Sequence, residues 1–319
     1  MNVIVSRIAD VAIDIRAFEL KPIEGRQLPA YEPGAHIDVH FPAGFVRQYS
    51  LCGERDATGS YVIAVQRDPA SRGGSAAMHV LKIGDTLRIE GPRNHFPLAT
   101  AAAHSVLFAG GIGVTPLLAM ADHLAAMKAS FEMHYCVRER SRAAFLGRLS
   151  SPPLREHSSV HVDAEPGSAA LDVARVIGEP APDKHLYVCG PGGFMTHVLT
   201  TAKQAGWRDV NLHREYFGAP LTSAPDLVSS REAFNVRLAR SGRVIPVSAS
   251  QTVVEALKEH GVLVETSCEQ GVCGTCLTHI LAGEPDHRDL YLTAAERAGN
   301  DQFLPCCSRS RTSELVLDL

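Results

Sequence analysis

The stretch Cys268-Glu269-Gln270-Gly271-Val272-Cys273-Gly274-Thr275-Cys276, followed after 29 further residues by Cys306, sets three thiols in one short loop and a fourth far along the chain. That is the spacing of a plant-type [2Fe–2S] site, with Cys268, Cys273, Cys276 and Cys306 as the four ligands. Two irons need two thiolates each. A short loop can wrap such a cluster only where its backbone turns tightly and sends amide hydrogens to the sulfurs, and Gly271 and Gly274 allow those turns. Structural zinc also takes four thiolates, but it usually pairs two short knuckles instead of one compound loop and a distant single ligand. In the doublet Cys306-Cys307 the spacing favours Cys306, leaving Cys307 as a small buried hydrophobe. No chemistry is assigned to Cys52 or Cys136.

Around this loop, residues 233–319 read as an α+β domain of the plant-ferredoxin (β-grasp) type. Strand-like runs at Phe234 to Leu238 and Val244 to Val247 precede Thr252-Val253-Val254-Glu255, a capping box whose helix Gly261 closes. Thr293-Ala294-Ala295-Glu296 repeats the arrangement. The segment before it, which includes Thr222-Ser223-Ala224-Pro225, is small, polar and proline-bearing, and residues 222–232 are expected to be a linker.

Between residues 102 and 221, buried apolar strands (Ser105 to Ala109, Met133 to Val137, Leu186 to Cys189) alternate with helical stretches (Leu117 to Met127, Phe194 to Ala205), and a further strand is expected at Val210 to His213. That predicts a doubly wound α/β domain on a parallel sheet. Residues 1–101 carry short alternating runs, such as Ile37 to Phe41, Tyr61 to Val65 and Leu87 to Glu90, separated by Pro33-Gly34, Pro42-Ala43-Gly44 and Gly84-Asp85. Those predict an antiparallel β-barrel. The whole is a multidomain chain of 319 residues, long enough for two or three cores.

Composition narrows the function. With 31 basic against 35 acidic residues and net charge −4, the chain has no Lys/Arg block for a phosphate backbone, so no nucleic-acid partner is expected. The uncharged run from Ala99 to Ala121 is long enough to cross a membrane, but three glycines and Pro116 break it into a strand, a turn and a helix, so no membrane partner is expected either. Arg7 and Asp10 fall too early for a secretory signal, and the chain is expected to be cytoplasmic.

Two glycine-rich strand ends point to a dinucleotide. Gly110-Gly111-Ile112-Gly113-Val114-Thr115-Pro116 follows a buried strand and opens a helix, where glycines admit a pyrophosphate and the helix N-terminus favours its charge. Pro116 stands where the ordinary fingerprint has a third glycine. Tyr187-Val188-Cys189-Gly190-Pro191-Gly192-Gly193-Phe194-Met195 has the same logic. Glu139, Arg140 and Arg142 follow the intervening strand. Glu139 would suit a free ribose hydroxyl and the arginines a 2′-phosphate, so NADH and NADPH both remain open on these residues. On the barrel, Arg47-Gln48-Tyr49-Ser50-Leu51 and Ser71-Arg72-Gly73-Gly74-Ser75 supply an arginine, hydroxyls and open amides for a phosphate tail, and Tyr49 can line a flat ring.

Taken in order, these motifs and Glu215-x-Phe217 make the chain resemble the phthalate dioxygenase reductase family along essentially its whole length. The resemblance implies that Arg47, Gln48, Tyr49, Ser50 and Val65 hold a flavin, with Arg72, Gly73, Gly74 and Ser75 on its phosphate. This domain order implies FMN. The resemblance also implies a pyridine nucleotide, usually NADH, lined by Gly110, Gly111, Gly113, Thr115, Glu139, Arg140, Cys189, Gly190, Pro191 and Met195. Phe217 would cover the flavin face.

The expected chemistry is electron transfer. Nicotinamide gives two electrons as hydride, the cluster takes one at a time, and a flavin bridges the two regimes. Positioning carries such a reaction, so Thr115, Cys189 and Phe217 are expected as positioning residues, with no acid, base or nucleophile. The sequence has no Rieske Cys/His pairs, and a separate terminal oxygenase, a Rieske non-haem iron demethylase or dioxygenase, is the expected partner. Residues 233–319 hold 11 acidic and 8 basic residues, which would suit transient docking of a basic patch there. The alternatives are a cytochrome P450 partner and a redox sensor without turnover.

Overall fold

The computed structural model describes residues 1–23, 27–53, 59–69, 71, 73–165, 171–218 and 232–319, with Ala294 described by its backbone alone. They divide into two compact units, Met1–Glu215 and Tyr216–Leu319. Arg72 and most of the expected linker, up to residue 231, lie outside the described residues.

The first unit opens with β1 (Asn2–Ala12), β2 (Ile15–Pro22), β3 (His36–His40), β4 (Val46–Ser50), β5 (Tyr61–Gln66), α1 (Gly74–His79) and β6 (Thr86–Arg93). Its strands form one antiparallel sheet in the order β4-β3-β6-β1-β2-β5. A bridge between Leu51 and Ile63 joins the two ends of that order and closes the sheet into a barrel. Alternation puts Val3, Val5, Ile37, Val39, Leu87 and Ile89 inside.

The same unit continues with β7 (His104–Gly110), α2 (Val114–Ala126), β8 (Phe131–Val137), α3 (Leu146–Leu149), β9 (Ser158–Val162), α4 (Val173–Ile177), β10 (Lys184–Cys189), α5 (Gly192–Gln204) and β11 (Leu212–Glu215). These strands are all parallel, in the order β11-β10-β7-β8-β9. The uncharged stretch from Ala99 to Ala121 is divided between β7, a 3-10 turn at Gly111–Gly113 and α2. Among the described residues no helix is long and apolar enough to cross a membrane. Helix α2 starts at Val114, ahead of the expected Leu117, because Pro116 is tolerated in a first helical turn. The strand expected at Val210 to His213 is corrected to Leu212–Glu215. Asp209–Asn211 form a 3-10 turn, and the Asn211 amide bonds the carbonyls of Pro182 and Lys184 at 2.9 and 3.0 Å, bending the chain before it enters the sheet.

Barrel and parallel sheet share one apolar core. Ile15, Cys52, Ala64 and Phe96 are buried with Leu107, Val114, Leu117, Tyr135 and Tyr187. The Phe96 and Tyr187 rings meet edge-on at 5.9 Å, and the Tyr187 hydroxyl accepts from the Ala99 amide at 2.8 Å. Arg148 adds a polar tie, donating to the Cys52 carbonyl at 2.6 Å while paired with Asp122.

The second unit contains β12 (Phe234–Leu238), β13 (Val244–Val247), α6 (Val253–Glu259), β14 (Thr278–Ala282), β15 (Pro285–Asp286), α7 (Ala294–Gly299), β16 (Gln302–Phe303), β17 (Arg309–Ser310) and β18 (Glu314–Leu317). Its main sheet runs β13-β12-β18-β14-β16, with β12 and β18 parallel. Both expected capping boxes are present: Thr252 with Glu255 opens α6, and Thr293 with Glu296 opens α7. At the end of α6 the Gly261 amide bonds the Lys258 carbonyl with a φ of +76°.

Because the shared core includes Phe96 at 2% exposure, Phe96→Ala is expected to cost about 3–5 kcal/mol. Denaturant unfolding of the variant should show barrel and parallel sheet lost in a single transition. Separate transitions for the two sheets would contradict the shared core.

Candidate functional site

On the barrel, β4 pairs with β3 so that Ser50 stands opposite His36, Tyr49 opposite Ile37, Gln48 opposite Asp38 and Arg47 opposite Val39. Tyr49 packs on the barrel core, and burial pushes its hydroxyl above the usual range. Arg47 lies along the turn that opens α1: its guanidinium stacks on Phe45 at 4.8 Å, and a Cβ at Gly74 would come within 2.6 Å of its side chain. Gly73, with φ +96°, sits against the same Phe45 ring. The Phe45 ring and the Arg47 side chain thus lie where β-carbons at Gly73 and Gly74 would fall, which sets the Arg47 guanidinium against the bare backbone of this turn and fits a phosphate approached by backbone and guanidinium together. Ser75 Oγ accepts from the Asp68 amide at 3.1 Å and pins this turn to the loop after β5. Val65 is buried in the barrel core on β5, where its carbonyl bonds His79 at 2.8 Å.

The strand that carries Arg47 ends at the seam between barrel and parallel sheet. Ser50 Oγ donates to Glu215 Oε2 at 3.2 Å, and the parallel register sets Glu215 beside Cys189. Loss of water around the Glu215 carboxyl raises its pKa from 4.5 to about 8, and the Ser50 hydrogen bond offsets part of the rise. Burial, with Glu215 adding to it, also pushes the fully buried Cys189 thiol well above its ordinary value, so Cys189 is a neutral thiol here. In the sequence Glu215 stands out only as part of Glu215-x-Phe217; a glutamate ending a strand carries no mark of its desolvation. Phe217 lies in the second unit and is 46% exposed.

The glycine-rich strand ends pack directly on each other. A Cβ at Gly113 would overlap the Cys189 carbonyl, and one at Gly190 would come 2.8 Å from Gly110 Cα. A Cβ at Gly110 would meet the Phe194 ring at 2.8 Å and Pro191 at 2.9 Å. Thr115 is buried, bonding the Ile112 carbonyl at 3.1 Å, and Met195 is buried on α5. The sheet order places β7 and β10 side by side, with β8 and β9 to one side and β11 to the other, so the carboxyl ends of β7 and β10 form the switch point where such sheets take dinucleotides. Glu139 and Arg140 follow β8, farther along the same edge.

In the second unit the four expected cluster thiols come together as two pairs. Cys268 is within hydrogen-bond reach of Cys273, and Cys276 of Cys306. Among the described residues no group of three or more His, Cys, Asp or Glu side chains is arranged to hold a metal ion. Two thiol pairs suit two irons better than one tetrahedral zinc. Amides face the sulfurs as expected: Gln270 N lies 3.3 Å from Cys268 Sγ, and Gly271 N bonds Cys306. The Cys273 sulfur lies 3.3 Å from the Thr275 hydroxyl. Cys307, half-buried, reaches the Cys306 sulfur with its thiol.

A strap that sequence reading did not single out backs this loop. Leu290 N donates to the Gly271 carbonyl at 2.9 Å; a Cβ at Gly271 would overlap Cys307 Sγ, and one at Gly274 would overlap the Tyr291 ring. Asp289, 2% exposed, holds the strap by accepting from the Tyr291 and Leu292 amides at 3.1 and 2.8 Å and pairing with Arg297 at 3.5 Å.

Comparison with known proteins matches residues 2–97 to the family described as "Oxidoreductase FAD-binding domain" and residues 236–311 to "2Fe-2S iron-sulfur cluster binding domain". The chain is 52% identical over 319 residues to vanillate O-demethylase oxidoreductase from Pseudomonas putida, covering 99% of each. Among solved structures it is similar to phthalate dioxygenase reductase, at 38% identity and a TM-score of 0.75, covering 100% of this chain and 98% of that one. It is also similar to an intact type IV self-sufficient cytochrome P450 monooxygenase, at 39% identity and a TM-score of 0.87, covering 100% of this chain and 41% of that one.

Two outcomes follow from this geometry. Glu215 ionises at 4.5 when exposed and at about 8 in the fold, so the folded state binds the extra proton between those values. Its contribution to stability is complete below pH 4.5 and is lost as pH rises through about 8. Glu215→Gln is expected to flatten that part of a Tm-versus-pH profile; an unchanged slope would place the titrating group elsewhere. For the cluster, Cys306→Ser should abolish the electron spin resonance signal of the dithionite-reduced protein while Cys307→Ser keeps it. The opposite pattern would exchange the two sulfurs' roles.

Proposed function

Since the chain belongs to the family that holds vanillate O-demethylase oxidoreductase and phthalate dioxygenase reductase, we propose that it carries electrons from NADH through FMN to a [2Fe–2S] cluster. From there they pass singly to a separate Rieske non-haem iron oxygenase acting on an aromatic acid. The observation that carries this reading is the seam, where Ser50 from the flavin-side strand bonds Glu215 beside Cys189 at the end of the nucleotide-side strands. When bound, the flavin supplies the conversion from paired to single electrons.

The protein's residues supply position and proton control. Arg47, Gly73 and Gly74, with Arg72 and Ser75, would hold the phosphate, and the order of the domains supports FMN. Tyr49, Gln48 and Val65 bound the ring site. Gly110, Gly111 and Gly113 clear the backbone for a pyrophosphate, and Gly190, Pro191 and Met195 shape the facing wall. Thr115 and the neutral Cys189 thiol orient the nicotinamide without adding charge beside it. Glu215, kept protonated at neutral pH by desolvation and in contact with Ser50 Oγ through Oε2, would hold a proton beside the bound rings without adding charge there. Cys268 and Cys273 would ligate one iron, and Cys276 and Cys306 the other. The acidic excess of residues 233–319 supports docking of the oxygenase near the cluster.

A cytochrome P450 as electron acceptor is the second reading, favoured by the similarity to the self-sufficient monooxygenase. Reconstitution with each acceptor type separates the two.

The test of the electron path is anaerobic titration of purified protein with NADH. Flavin and cluster absorption should both bleach, and the flavin released by acid should have the mass of FMN. Reduction of the flavin with the cluster left oxidised would break the proposed path.

A further inference from the structure

The three thiols of the cluster loop are unequally covered. Cys273 is 8% exposed and Cys276 2%, while Cys268 is only half-buried. On the side of Cys273 and Cys276 the cover is the strap. Gly274 stands between these two ligands with a φ of +74°, and a β-carbon on it would overlap Cζ and Cε2 of Tyr291 and come 2.8 Å from Cε1. The ring therefore lies directly on the bare backbone of the loop, and only glycine at 274 permits so close an approach. Tyr291, itself half-buried, also packs on the small apolar group formed by Leu292, Leu304, Cys276 and Cys306. Its backbone is fixed from behind. Asp289 accepts from the Tyr291 and Leu292 amides, Arg297 Nη2 donates to the Asp289 carbonyl at 2.5 Å, and Thr293 then caps α7.

A ring held in this way governs how much water reaches the sulfurs beside it. A [2Fe–2S] cluster bound by four thiolates is already negative, and reduction adds one more negative charge. Water close to the sulfurs therefore favours the reduced state, and its exclusion favours the oxidised one. We propose that the Tyr291 ring keeps water off the Cys273 and Cys276 side of the cluster and so holds its reduction potential low, which makes the reduced cluster a stronger electron donor. The ring acts through the area it covers and not through its hydroxyl. Tyr291 is thus a positioning residue for the electron exit, touching the ligand loop at Gly274 and anchored through Asp289. The proposal rests on the [2Fe–2S] reading above and adds the residue that sets the potential.

A redox titration of the intact protein, followed by the electron spin resonance of the reduced cluster, tests it. Tyr291→Phe keeps the ring and should match the wild-type midpoint. Tyr291→Ala opens the face to water and should favour reduction about tenfold, which for one electron is a rise of about 59 mV in the midpoint. Absorption spectra report whether each variant is loaded. Where Tyr291→Ala does not retain the cluster, Tyr291→Leu keeps part of the apolar cover and should give a smaller rise. A midpoint that stays or falls when the ring is removed, or that moves as far in Tyr291→Phe as in Tyr291→Ala, would overturn the proposal. Wild-type protein without a [2Fe–2S] signal would instead overturn the reading on which it rests.

Discussion

Ile15, Cys52, Ala64 and Phe96 of the barrel are buried in the same core as Leu107, Val114, Leu117 and Tyr187 of the parallel sheet. A hydride moves only between atoms held about 3–3.5 Å apart, and two sheets joined by a mobile hinge could not hold two bound rings to that tolerance. Burying the barrel's end against α2 and β10 removes that freedom, and closely packed interiors yield little to local shifts. The seam is therefore a property of the shared core. Ser50 and Glu215 face each other at 3.2 Å where the two sheets pack on that core.

The electrostatics of the seam follow from the same packing. Withdrawn from water beside Cys189, the Glu215 carboxyl is held near neutrality instead of fully charged, and the Cys189 thiol stays protonated. A charged group at either position would act on any bound nicotinamide ring. At the far end of the edge the situation is reversed: Arg140 pairs with Glu165 and Arg142 lies 4.0 Å from Glu139, all of them exposed to solvent.

The cluster loop shows the same division between local chemistry and support. Gly271 and Gly274 make the turns, but their freedom is also spatial, since the strap from Asp289 to Leu292 presses on both. The buried Asp289, anchored to Arg297, makes that pressure permanent. An unpaired carboxylate at so buried a position would be costly, so the pair behaves as one structural element.

Periodicity and spacing carried much of this in the sequence. The Cys-x4-Cys-x2-Cys loop, both Thr-x-x-Glu caps and the glycine-rich strand ends depend on contacts within a few residues, and local physics suffices to read them. The alternating runs of the barrel and the buried runs of the parallel sheet likewise follow from which face each strand must hide. The late entry of β11 was not legible, because Asn211 bends the chain by bonding carbonyls near residue 183. Nor were the roles of Glu215 and Asp289, whose partners lie 165 and 8 residues away. The sequence by itself determined the kinds of element and the cofactor chemistry they can support, since those are set by neighbouring residues. Only the tertiary structure decided which charges are desolvated, which are paired and where the two nucleotide-side and flavin-side strand ends meet, because desolvation and Coulomb interaction depend on distance in space and not on distance along the chain.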